Sequence, residues 1–130
     1  MITFLVDDDP ISNYLTEALL RTQQFPSPVR TFESAEEALH ALVGTLASNT
    51  SAVVFLDLNM PVMNGWQFLD ALTPYTSQLS ARCHIYILTS SLALVDQEKA
   101  ATYALVDGLV HKPLDQAEIK AIHSTLQHRQ

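Results

Sequence analysis

Residues 52–58 read AVVFLDL: five apolar side chains in succession, then Asp57, then Leu58. A strand with one wet face alternates apolar and polar residues. An unbroken apolar run suits a strand covered on both faces, as in a parallel sheet lying between two layers of helices. This run also carries a lone carboxylate at its C-terminal end, so the residue that limits the strand is also the first candidate for chemistry.

The flanking sequence supports the same architecture. On the N-terminal side, Ala35, Ala38, Leu39, Leu42, Val43 and Leu46 recur at helical spacing, behind a Ser34–Glu37 pair with the form of a capping box. Before them, Val29–Phe32 is a weak strand, and the breaker PSP at 26–28 separates it from a helix over about 10–23. The apolar positions of that helix are Ile11, Tyr14, Leu15, Ala18 and Leu19, which predict an amphipathic face turned to the core. Pro10 suits its first turn and Asp9 its N-cap. Ile2–Val6 is the first strand. On the C-terminal side, NMPVMNG (59–65) is turn-like, with Gly65 expected to supply an unusual backbone angle. Trp66, Leu69 and Leu72 mark a third helix limited by Pro74, and Cys83–Leu88 is a fourth strand. A short helix over about 93–103 follows. DGLVHKP (107–113) holds a fifth strand stopped by Pro113, and a last helix runs over about 115–127 on Ile119, Ile122 and Leu126. The pattern is (βα)5, an α/β doubly wound, five-stranded parallel sheet. It predicts one domain over 1–130, with no linker and no output domain.

Composition narrows the function classes. At 48% hydrophobic and 16% charged, 130 residues can bury a core. A net charge of −7 argues against nucleic acid as a direct partner, because phosphate backbones need a basic face. Cys83, the single cysteine, permits no internal disulfide and fits a reducing compartment. No apolar run reaches membrane-span length, and the N-terminus lacks the basic flank of a signal peptide. The expectation is a soluble, cytoplasmic protein.

In open parallel sheets ligands bind beyond the carboxyl ends of the strands. Strand one ends in Asp7, Asp8 and Asp9, strand three in Asp57, strand four in Thr89, Ser90 and Ser91, and strand five in His111 and Lys112. Converging carboxylates repel one another and favour either protonation or a cation. Oxygen ligands suit Mg²⁺ or Mn²⁺, and Mg²⁺ keeps sites for phosphate oxygens. Lys112 and Thr89 supply a charge and a donor for such an anion. The only glycines are Gly44, Gly65 and Gly108, so no phosphate-binding loop of the nucleotide type is available. A lone carboxylate can itself attack phosphorus, giving an aspartyl-phosphate. Asp57 suits that role, and the clustered acids suit the metal. Ser90 or Ser91 can cap the fourth helix, leaving Thr89 for the anion. Trp66 and Tyr14 are expected to pack in the core or in grooves. His123 and His128 lie five apart, poor spacing for zinc.

At these residues the chain resembles the receiver domain of two-component response regulators: LVDDDP, FLDLNMPVMNG, ILTSS and HKP occur in family order and spacing along essentially the whole chain. The resemblance implies the flavodoxin-like strand order 2-1-3-4-5 and Asp57 as phosphoacceptor. It implies a Mg²⁺ (or Mn²⁺) pocket of Asp7, Asp8, Asp57 and the Asn59 backbone carbonyl, with Asp8 the more direct ligand. Thr89 and Lys112 would meet the phosphoryl group, Pro113 would follow a cis peptide bond, and Asn59 and Ser91 would tune the lifetime of the phosphorylated state. The implied partners are a histidine kinase or histidine phosphotransfer protein upstream and a downstream protein on the helix 4–strand 5–helix 5 face. One departure stands out. Three residues before the lysine the family usually has Tyr or Phe, and here Leu109 stands there. Output is therefore expected to travel through the backbone and helix four, with Leu109 only repacking.

Two rival readings are distinct. A haloacid-dehalogenase-like phosphatase would also use Asp57 as nucleophile, but it needs a second aspartate two residues on, where this chain has Asn59. A phosphorylation-independent, receiver-like interaction module is favoured only by Leu109, and it gives no physical reason to retain mutually repelling acids.

Overall fold

A computed structural model describes residues 1–25 and 28–128, so Pro26 and Ser27 of the expected PSP breaker lie outside the described residues. The strands are β1 (Ile2–Val6), β2 (Val29–Phe32), β3 (Ala52–Asp57), β4 (Cys83–Thr89) and β5 (Val106–His111). They form one sheet in the order β2-β1-β3-β4-β5, with every neighbouring pair parallel. The helices are α1 (Pro10–Thr22), α2 (Ala35–Ala47), α3 (Gly65–Leu72), α4 (Leu94–Ala100) and α5 (Gln116–His128); a 3-10 turn (Thr73–Tyr75) and a single helical turn (Thr76–Leu79) follow α3. Among the described residues, no helix is long and apolar enough to cross a membrane.

Hydrophobicity and position agree in the sheet. Every residue of β3 and β4 is buried, whereas the edge strands β2 and β5 are only partly covered. Two apolar layers result. One packs Phe4, Val54 and Ile85 under α2, α3 and α4. The other packs Leu5, Phe55 and Leu88 under α1 and α5. Each fully buried Leu, Ile or Phe contributes about 1.5–3 kcal/mol of apolar transfer. The β4–β5 register shifts beside Ile85, leaving Asp107 as an extra residue in β5, and its carboxylate meets His84 Nδ1 at 3.0 Å.

Local signals behave unevenly. Asp9 caps α1 by accepting from the Ile11 amide, as expected. Ser34 caps α2 through the Glu37 amide. The full reciprocal capping box lies elsewhere, at Asn64 and Gln67, with both bonds at 2.9 Å. Neither Thr89, Ser90 nor Ser91 caps α4; the N-cap is Ala93, without a side-chain bond, because the chain runs on past the serines before it turns helical.

Two further expectations are corrected. No glycine has a positive φ, so Gly65 does not serve through an unusual angle. It is needed for close approach: a Cβ there would lie 2.8 Å from the Asp57 carbonyl oxygen and 2.9 Å from Leu58 Cα. The left-handed residue of that loop is Val62 (φ 68), a strained conformation for a β-branched side chain. The second correction concerns α1. Most of its apolar stripe faces solvent, with Ile11 69%, Tyr14 72% and Leu15 62% exposed; Leu19 packs half-buried against the core, and the buried residues of the helix are Asn13 and Leu20. Trp66, in contrast, packs as expected. It lies against the core, stacks on Tyr103 at 5.9 Å and carries Lys99 over its ring, while the Tyr103 hydroxyl donates to Asp70.

Candidate functional site

Strand order puts the carboxyl ends of β1, β3, β4 and β5 side by side, and each brings its polar residues to one patch. Carboxylate oxygens of Asp7, Asp8 and Asp57 all lie within 4.8 Å of one another. Asp7 and Asp57 are buried, and Asp8 is exposed at the mouth. An oxygen-rich, negatively charged set with one open side fits a hard divalent cation that keeps some of its water.

Asp7 is the most tightly held. Its carboxylate accepts from the Asp9 amide (3.0 Å), the Ser12 hydroxyl (2.9 Å) and Lys112 Nζ (2.9 Å). Burial alone raises its pKa, but the Asp9 amide, the Lys112 and Ser12 hydrogen bonds and the Lys112 charge outweigh it, so Asp7 titrates below its ordinary value. Asp57 goes the other way. Burial first and the neighbouring Asp7 charge second push it from 3.8 to about 6, with Asp8 adding to the rise. The charge of Lys112 and a backbone hydrogen bond from Asn59 only partly offset them. The contrast follows from Lys112, which sits 2.9 Å from Asp7 and 3.6 Å from Asp57. Burial lowers the lysine pKa, but its bonds and attractions to both carboxylates raise it overall, and the ammonium stays charged.

Thr89 ends β4, buried, with its hydroxyl engaged locally: it donates to the Ser91 carbonyl (2.7 Å) and accepts from the Ser91 amide (3.1 Å). The Lys112 amide donates to the Thr89 carbonyl at 2.8 Å, which joins the ends of β4 and β5. The Lys112–Pro113 peptide is cis. Leu109 pairs with Ile87 in the sheet and packs, half-buried, against the layer under α2, α3 and α4. Asn59 lies exposed two residues past Asp57. Burial pushes the Cys83 thiol up to about 12, which removes it as a nucleophile at neutral pH.

The structure thus brings Asp7, Asp8, Asp57 and Lys112 together, sets Thr89 and Asn59 at adjoining strand ends, and puts Gly65 against the Asp57 backbone. Sequence reasoning missed Ser12 and Asn13. Their only signal is that both are polar and follow closely on the acidic triplet, in a helix whose apolar stripe lies elsewhere.

Comparison with known proteins agrees with this geometry. The family model for the response regulator receiver domain matches residues 3–124, so the chain belongs to that family. Receiver domains are signalling domains of two-component systems that bind Mg²⁺ at an acidic pocket. Among solved structures, a two-component response regulator from Cytophaga hutchinsonii is 27% identical, with a TM-score of 0.88 over 97% of this chain and 96% of that one. A response regulator receiver protein from Dyadobacter fermentans DSM 18053 is 28% identical, with a TM-score of 0.83 over 98% and 95%. The chemotaxis protein CheY4 of Vibrio cholerae, 24% identical with a TM-score of 0.72 over 98% and 97%, shares the fold. No curated protein sequence matches the chain.

Proposed function

We propose that this chain is a phosphoacceptor of a two-component or phosphorelay system, acting in the cytoplasm. One observation carries the reading: a buried Asp57 carboxylate has two further carboxylates within 4.8 Å and a lysine ammonium 3.6 Å away. That set matches the needs of phosphoryl transfer to a carboxylate, where placement and charge neutralisation do most of the catalysis. Asp57 Oδ attacks phosphorus. An O–P bond forms as the donor's P–N bond breaks, and the leaving imidazole keeps its electron pair and takes a proton. Asp7, Asp8, Asp57 and the Asn59 carbonyl would hold Mg²⁺ or Mn²⁺, whose charge relieves the carboxylate repulsion and favours the transferring phosphoryl group. Lys112 leaves Asp7 to pair with a phosphoryl oxygen, and Thr89 exchanges its Ser91 contacts for another. Asn59 and Ser91 flank the hydrolytic path and set how long the phosphoryl group survives.

Two surfaces support the protein partners. The exposed apolar stripe of Ile11, Tyr14 and Leu15 lies on the helix that begins right after the acidic triplet, giving a histidine kinase or histidine phosphotransfer protein an apolar footing beside Asp57. A groove of about 310 Å³ between β5 and α5, with Leu92, Leu109 and Ile122 in its lining, gives a downstream protein a place to read the phosphorylated state.

Incubation with acetyl phosphate and Mg²⁺, followed by intact mass measurement, tests the reading. A single phosphate adduct, absent in Asp57→Asn and after chelation, is expected. A chain that stays unmodified is instead an interaction module that kept the fold, and rapid turnover of small phosphate esters makes it a phosphatase.

A further inference from the structure

Asn13 is the one fully buried polar residue of α1, only 4% exposed, and no role has yet been given to it. Its Nδ2 donates to the Asp7 carbonyl at 2.7 Å and lies 3.4 Å from the Phe32 carbonyl, so the amide spans the C-terminal ends of β1 and β2. The orientation of the amide is forced, since reversing it would set an oxygen against two carbonyl oxygens. The consequence is that Oδ1 is buried with no hydrogen-bond partner among the described residues. Native structures carry few such groups, and each calls for a compensating role.

The Asp7 carbonyl is half of the Asp7–Asp8 peptide plane. A donor held on that carbonyl restrains the plane, and the plane, with the backbone angles on either side of it, sets the directions in which the Asp7 and Asp8 side chains leave the backbone. Asp7 has other restraints, from the Asp9 amide, Ser12 and Lys112. Asp8 is exposed, and no hydrogen bond among the described residues holds its carboxylate, so the backbone is the part of Asp8 whose placement others fix. Asn13 and Leu20 share the buried face of α1, and Ile11, Tyr14 and Leu15 lie on the exposed one.

We infer that Asn13 is a positioning residue for the acidic pocket, holding the Asp7–Asp8 peptide so that the two carboxylates are preset for a divalent cation. This rests on the receiver reading of the pocket. Partners that orient metal ligands from behind typically change affinity ten- to a hundredfold when removed.

The test is calorimetric titration of the intact chain with Mg²⁺ alone, beside thermal unfolding in chelator. Asn13→Ala is expected to weaken Mg²⁺ binding roughly ten- to a hundredfold. Asn13→Ser, which keeps a shorter donor, is expected to fall between that variant and the native chain, and it serves alone if Asn13→Ala does not fold. Leu20→Val, on the same helix but remote from Asp7 in sequence, is expected to lower the melting temperature and leave the Mg²⁺ affinity within about twofold, since it removes only buried volume. Native affinity in Asn13→Ala, or in Asn13→Ser where that serves alone, overturns the role of Asn13 and leaves the pocket intact. So does a loss of affinity in Leu20→Val that matches its loss of stability. A native chain that binds no Mg²⁺ overturns instead the reading of the acidic pocket as a metal and phosphoacceptor site.

Discussion

Helices α1 and α2 have the same length, thirteen residues, and each starts behind a side-chain N-cap, yet they are built for different tasks. In α2 most of the apolar stripe read from sequence is covered, with Ala35, Ala38, Leu42 and Leu46 inside and Leu39 packed against the core, while Val43 at its edge is exposed. In α1 most of the corresponding stripe is outside, and Asn13 points in. Core packing sets the rotation of α2. In α1 the buried face holds Asn13, which bonds the Asp7 carbonyl, and Leu20, which enters the core, while Ser12 bonds the Asp7 carboxylate. An amphipathic stripe therefore marks the core-facing side only where no polar site competes for the helix.

The sharpest way to break this contrast is Leu42→Ala in α2. Leu42 is fully buried, and its truncation is expected to cost about 2–5 kcal/mol in denaturant unfolding. A loss as small as a surface substitution gives would remove α2 from the core.

Asp57→Asn should move stability the opposite way, because site residues are placed for chemistry at the expense of stability. The folded pKa of Asp57 is raised from 3.8 to about 6. Its protonated form therefore favours the folded state, a contribution that is full below about pH 4 and lost as pH passes about 6. In chelator at pH 7.5 the variant is expected to be more stable than the native chain by about 2–3 kcal/mol, with the difference closing below about pH 4. A difference independent of pH would assign the effect to something other than the buried charge.

The caps are smaller and should act alike in both helices. Ser34→Ala and Asp9→Ala are each expected to cost about 1 kcal/mol. Asp9→Asn keeps a good cap and should leave both stability and acetyl phosphate labelling close to native, whereas Asp8→Asn abolishes labelling. If Asp9→Asn also abolished it, the division of labour within the triplet would be wrong. Tyr14→Ala should be the mildest of all in folding, within about 0.5 kcal/mol. It should nevertheless slow phosphoryl transfer from a histidine-phosphorylated protein while acetyl phosphate labels it normally, and equal slowing with both donors would place Tyr14 in the chemistry instead of on the docking face.

Much of the fold was legible because it is written in local patterns. The unbroken run before Asp57 and the helical spacing of α2 each depend on near neighbours, and both correspond to observed elements. The candidate site was legible because its acids, threonine and lysine end strands, and a parallel sheet gathers strand ends on one side. Gly65 was singled out for the wrong reason, since the need for close approach to Asp57 and Leu58 is invisible until α3 is docked. The capping box was expected at Ser34 and is complete at Asn64, a pair whose residue types allow it equally well.

The sequence by itself determined the alternation of strands and helices, the motifs and their order, and Asp57 as the odd carboxylate, because each follows from residue type and short-range spacing. Only the tertiary structure decided that Lys112 rests on Asp7 ahead of Asp57, that Thr89 is turned onto Ser91, and that α1 shows its apolar side to solvent. The physical reason is that residue types allow several partners and only the folded backbone selects one, most clearly where the partners are far apart along the chain. Lys112 and Asp7 are 105 residues apart, and which of two nearby carboxylates an ammonium prefers depends on fractions of an ångström that arise only when β1, β3 and β5 lie in one sheet.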